Sequence, residues 1–97
     1  MVWSNISKRY QLISILESLQ TWARFNSKNN LSRINELRNS LLFGSNITKQ
    51  EIDDITENIV NIIIKSNDQN LLLEFSSFIR DAQENYSNID DSIAETI

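Results

Sequence analysis

The chain contains no cysteine and no histidine. Without cysteine there is no disulfide, no thiolate metal ligand and no sulfur nucleophile. Without histidine it lacks the commonest metal ligand and the one side chain that titrates near neutrality when unperturbed. Serine–histidine and cysteine–histidine catalytic pairs are therefore excluded. Proline is also absent, and Gly44 is the single glycine, so there is no glycine-rich phosphate loop. Helices tolerate that composition, whereas sheets and long ordered loops call on more turn residues. The longest apolar run is Ile62-Ile63-Ile64, just after Ile59-Val60, far short of the ~18–20 residues that span a bilayer. The first residues lack the basic-then-apolar pattern of a signal peptide, because Lys8 and Arg9 fall inside an amphipathic segment. A cytoplasmic protein is expected, with no membrane partner.

What is present suits a small folded unit. Of 97 residues, 40% are hydrophobic and 23% charged, too apolar for a disordered chain and long enough for one thin core. Fifteen isoleucines and thirteen asparagines stand against three alanines, although alanine is the best helix former. That bias points to an AT-rich genome, such as that of a low-GC bacterium or a phage, and carries no mechanism.

The spacing of apolar residues predicts four helices. In the third, Thr48 is placed to cap, Glu51 completes a capping box, and Ile47 and Ile52 flank it as a hydrophobic staple. Ile52, Ile55, Ile59, Ile62 and Ile63 then recur at steps of three and four, which predicts a helix over 49–65. Residues 66–70 form a polar break, and Leu71, Leu72, Phe75, Phe78, Ile79, Ala82 and Tyr86 share one face of a fourth helix. Upstream, Leu31, Ile34, Leu37, Leu41 and Leu42 define a shorter helix, with Asn29 or Asn30 as its cap. Gly44 should end it in the left-handed conformation. The first helix, from about Ser4 or Ser7 to Arg24, carries two overlapping apolar stripes, and an arc that wide suits a central position or a partner face. Most of the eight aromatics should be core.

The expected fold is all-α: a small antiparallel bundle of about four helices over 1–86. The acidic stretch 87–97, with Ile89, Ile93 and Ile97 at steps of four, should be a tail or a weak fifth helix.

Charge is unevenly spread. Residues 1–50 hold seven basic against two acidic residues, and 51–97 hold two against eleven. Beyond Arg80 there is no cation, only Asp81, Glu84, Asp90, Asp91 and Glu95. With Glu51, Asp53, Asp54 and Glu57 these make a candidate acidic surface able to steer a basic partner. The seven N-terminal cations are scattered on a net-acidic chain, short of the clustered patch that nucleic acid requires. Asp53-Asp54 and Asp90-Asp91 are adjacent, so in a helix each pair points about 100° apart rather than at one ion. No metal, cofactor or catalytic site is expected.

The reading is thus a non-catalytic protein-binding module, adaptor or assembly protein. It would act through the wide apolar first helix, with Trp22 and Phe25 as candidate anchors, or through the acidic surface. Its partner would be a protein, a basic one for the acidic surface, or a second copy in a homodimer. Two alternatives stand beside it: an immunity or inhibitor protein that masks a basic toxin or nuclease, and a small nucleic-acid-associated regulator. If the acidic surface steers a basic partner, reversing charge at Asp53, Asp54, Asp90 and Asp91 should slow association and weaken its salt dependence. A stopped-flow association rate that does not change removes the idea.

Overall fold

The computed structural model describes residues 2–44 and 47–85, with side chains over 7–44 and 47–84. Every element is helical: α1 (Val2–Asn26), α2 (Lys28–Phe43), α3 (Lys49–Ser66), α4 (Gln69–Glu74) and α5 (Ser76–Asn85). No strand occurs among the described residues. The chain divides into two compact units, Met1–Ile55 and Thr56–Ile97, and the division falls inside α3 rather than in a loop.

In the first unit α1 and α2 form an antiparallel helical hairpin. Three cross-helix pairs fix the direction: Arg9 reaches Leu41, Glu17 meets Arg38, and Gln20 meets Asn35. As the α1 number rises the α2 number falls. The seam is aliphatic, because Leu12, Leu16, Leu19 and Ala23 of α1 and Ile34 and Leu41 of α2 are wholly buried. Ile13, Ile15 and Leu37 complete it. These positions recur at steps of three and four, so a helix presents them on one side. Within the wide apolar arc of α1, Leu12, Ile13, Ile15, Leu16, Leu19 and Ala23 are buried, Trp22 is half-buried and Tyr10 is exposed.

The connection between the two helices is shorter than expected from a first helix ending at Arg24 and a second capped by Asn29 or Asn30. Ser27 alone separates them, with its N–H on the Ala23 carbonyl. Asn30 is inside α2, where its N–H and Nδ2 both donate to Ser27, to the carbonyl and the hydroxyl oxygen. Packing of the two apolar stripes overrides the weak helix propensity of Asn29 and Asn30.

Gly44 ends α2 as expected, but by another route. Its φ of −68° and ψ of 129° are ordinary extended values. Among the described residues the left-handed one is Asn67 (φ 57°), just after α3. Gly44 is required for room: a Cβ there would stand 2.6 Å from the Ser40 carbonyl oxygen and 3.1 Å from Ile47 Cγ1.

The start of α3 follows its sequence signature in part. The Thr48 hydroxyl accepts the Glu51 N–H at 3.1 Å and donates to the Glu51 carboxylate at 3.3 Å. Ile52, Ile55, Ile59, Val60 and Ile63 are buried, together with Thr56.

In the second unit Asp68 caps α4, its carboxylate accepting the N–H groups of Asn70 and Leu71. The continuous fourth helix expected over 71–86 is instead divided at Phe75. Phe75 still donates to Leu71 and accepts from Ile79, so the hydrogen-bond ladder passes through the break. Ser76 and Ser77 follow, and serine hydroxyls compete for nearby backbone groups. Leu71, Leu72, Phe78, Ile79 and Ala82 are buried, while Arg80, Asp81 and Glu84 are exposed. The proposed weak helix over 87–97 lies outside the described residues.

The role of Gly44 gives a discriminating prediction. A left-handed position tolerates asparagine better than alanine, whereas a close approach rejects both. Gly44→Ala and Gly44→Asn should each lower stability by roughly 1–3 kcal/mol, as overpacking does, read by urea unfolding. Tolerance of Asn with loss on Ala would contradict the packing account.

Candidate functional site

Among the described residues, three of the five exposed large apolar side chains, Tyr10, Leu42 and Phe43, fall at the open end of the α1–α2 hairpin. An α-helix ends with carbonyls that have no partner within the helix. At the end of α2 the Ser40 carbonyl accepts the Gly44 N–H. The Leu41 and Leu42 carbonyls, and that of Gly44 beyond them, are taken by one side chain, Arg9 of α1. Its Nε donates to Leu41, and its Nη2 donates to Leu42 at 3.4 Å and to Gly44 at 3.0 Å. A cation at this end also meets the negative pole of the helix dipole.

Holding Arg9 across the end of α2 leaves a groove of about 340 Å³ beside it, lined by Arg9, Tyr10, Ile13, Leu41 and Leu42. Tyr10 is 68% exposed and Leu42 37%. Phe43, the last residue of α2, is 79% exposed. Ile13 and Leu41 are buried and form the floor. The groove is open to solvent on one side and mixes three aliphatic side chains, one phenol and one guanidinium. That suits a side chain or two of another polypeptide, since small-molecule pockets of roughly 300–1,000 Å³ are usually well enclosed.

Trp22 and Phe25 sit at the other end of the hairpin. Phe25 is 83% exposed and Trp22 is half-buried. Fifteen residues of helix separate Phe25 from Tyr10, about 22 Å at the α-helical rise. Of the aromatics whose side chains are described, only Phe78 is buried, and the core is aliphatic.

The acidic residues are placed as follows. Glu51 and Asp54 are exposed, and Asp54 accepts from Gln50 at 2.9 Å. Asp53 is half-buried and pairs with Lys49 at 3.2 Å. Glu57 is half-buried one turn further along α3. Asp81 and Glu84 are exposed on α5, three residues apart. Asp90, Asp91 and Glu95 lie outside the described residues. Among the described residues no group of three or more acidic, histidine or cysteine side chains could hold a metal ion. Nor is any helix long and apolar enough to cross a membrane.

Arg9, Tyr10 and Leu42 carry no signal as a site in the sequence. Only the antiparallel register brings residue 9 opposite residues 41 to 44. Knowing that α2 stops at Gly44, a cation one turn before the Leu12–Leu16–Leu19 stripe was the available hint.

No family model matches the chain, and no match was found to a curated protein or to a solved structure.

Arg9 and Tyr10 are adjacent in the chain but differ in what they hold. Arg9→Met keeps the stem and removes the donors, leaving two or three carbonyls without partners. It should cost about 1–3 kcal/mol of stability. Tyr10→Ser, at an exposed position, should stay within about 0.5 kcal/mol of the unmodified protein. Thermal unfolding of the two variants checks the contrast.

Proposed function

We propose that the chain is a non-catalytic protein-binding module that uses the open end of the α1–α2 hairpin as its contact surface. The observation that carries the reading is the grouping of Tyr10, Leu42, Ile13 and Leu41 around one open groove, with exposed Phe43 next in the chain. Aromatic and arginine side chains with dry, well-packed surroundings dominate the energetics of interfaces. An exposed apolar cluster held on two packed helices needs little ordering to bind, so less of the contact energy is lost. The absence of cysteine and histidine supports a binding role over chemistry, and the cysteine-free composition supports a cytoplasmic setting.

A second reading rests on the exposed acids Glu51, Asp54, Asp81 and Glu84. It makes the chain an inhibitor or immunity-type protein that masks a basic partner.

Two double variants separate the readings. Tyr10→Ser with Leu42→Ser alters the groove, and Glu51→Lys with Asp54→Lys alters the acidic turn. Each should retain its helical circular dichroism. The reading predicts that affinity capture from source cells loses the same partner with the groove variant and keeps it with the acidic-turn variant. Loss with the acidic-turn variant alone overturns it in favour of the second reading.

A further inference from the structure

The cations of the first unit differ in how their charge is met. Arg33 pairs with Glu36, Arg38 with Glu17, and Lys49 with Asp53. Arg24 and Lys28 are exposed to water. Arg9 is half-buried and has no carboxylate partner among the described residues. Its hydrogen bonds use Nε and Nη2 and end on neutral carbonyls, and Nη1 donates to nothing among the described residues. The α2 dipole offsets only about half a charge at that end. A guanidinium whose charge meets no carboxylate among the described residues therefore lines a groove of mixed aliphatic and polar side chains, at a fixed position.

We propose that the groove takes an acidic amphipathic helix of a partner protein, which inserts an aliphatic side chain between Tyr10 and Leu42 and sets a carboxylate on Arg9. The inference rests on the protein-binding reading given above and names the chemistry of its partner. Charge complementarity selects the occupant. A wholly apolar segment would cover Arg9 and strand its charge, which is costly without a counter-ion. A basic segment would meet like charge from Arg9. A second copy docking through the same face would bring two Arg9 side chains together, so symmetric self-pairing is disfavoured for the same reason. A carboxylate instead gains a charge-assisted hydrogen bond from a guanidinium already held in place, in a groove where water screens it less than on an open surface.

The test uses two synthetic helical peptides, each with leucines at steps of three and four. One carries glutamates between the leucines, and the other carries glutamines at the same positions. Binding to the full chain is read by fluorescence anisotropy at low and high salt. The glutamate peptide should bind about 10-fold tighter at low salt, with the gap closing as salt rises. Tyr10→Ser with Leu42→Ser should remove binding of both peptides, and Arg9→Gln should abolish the difference between them. Because the peptide comparison is made on the unmodified chain, the result stands even if Arg9→Gln fails to fold. Equal affinity of the two peptides overturns the acidic partner and leaves the groove as a binding surface. Failure of both peptides to bind overturns the proposal and counts against the groove itself. A glutamate preference that survives the groove variant places the contact elsewhere and overturns it as well. Self-association at high micromolar concentration that Tyr10→Ser with Leu42→Ser abolishes would make a second copy the occupant and equally overturn it.

Discussion

The hairpin depends on how α2 is allowed to stop. A helix packed along its length by an aliphatic seam must still dispose of its last carbonyls, and here those of Leu41 and Leu42 are not closed by a left-handed glycine turn. One guanidinium from the facing helix takes the carbonyls of Leu41, Leu42 and Gly44. That arrangement fixes the register of α1 against α2 at its open end, as Gln20–Asn35 does further along. It also explains the extended backbone of Gly44. The chain must pass close over Ser40 to bring its own carbonyl to Arg9, and a Cβ at 2.6 Å from the Ser40 oxygen would prevent it.

The same constraint generates the exposed surface. Arg9 lies across the end of α2 and lines the groove together with Ile13 and Leu41. Its neighbour Tyr10 projects about 100° around the helix, as consecutive helical residues must, and is left in solvent. Phe43 is the last residue of a helix whose buried side is occupied by Ile34, Leu37 and Leu41 at steps of three and four, and residue 43 falls off that stripe. The apolar surface at this end thus follows from helical geometry and from one polar clasp.

Several parts of this were legible in the amino-acid order, and the reasons for the rest are physical. The all-helical class, the ends of α3 and its buried isoleucines follow from local chemistry: a capping threonine, a glutamate three residues on, and a 3.6-residue period. Gly44 marked the end of α2, but a glycine needed for clearance and a glycine needed for positive φ look identical in a sequence. The single-residue link at Ser27 was hidden because propensity placed the cap of α2 at Asn29 or Asn30, whereas packing put both in its first turn. The break at Phe75 interrupts an apolar period that continues unbroken through it. The wide apolar arc of α1 was visible, yet an arc shows only that a face is apolar. Burial of that face against α2 depends on a neighbour the period does not identify. For the same reason the aromatics, expected inside, are mostly outside the core among the described residues: Tyr10, Phe25 and Phe43 are exposed and Trp22 and Phe75 half-buried, with leucine and isoleucine filling most of the core.

Charge shows most clearly how structure changes the meaning of a sequence pattern. Counted by halves, the chain is sharply polarised. The compact units divide it elsewhere, at 55/56, so the acidic start of α3 joins the basic helices. Residues 1–55 then hold seven basic and five acidic residues, and 56–97 hold two and eight. Within the first unit three cations already meet carboxylates, in pairs exposed enough to contribute about 1 kcal/mol or less each. The N-terminal excess of charge is thereby reduced from a diffuse field to a few positions, and two of those, Arg24 and Lys28, are solvated on the surface. Arg9 differs because its geometry is already fixed by carbonyls. A solvated lysine must surrender side-chain freedom to pair with a newcomer, whereas a clasped arginine has given up that freedom in folding. The seven cations are alike in a count, but the fold makes one of them a preorganised charge lining an open groove.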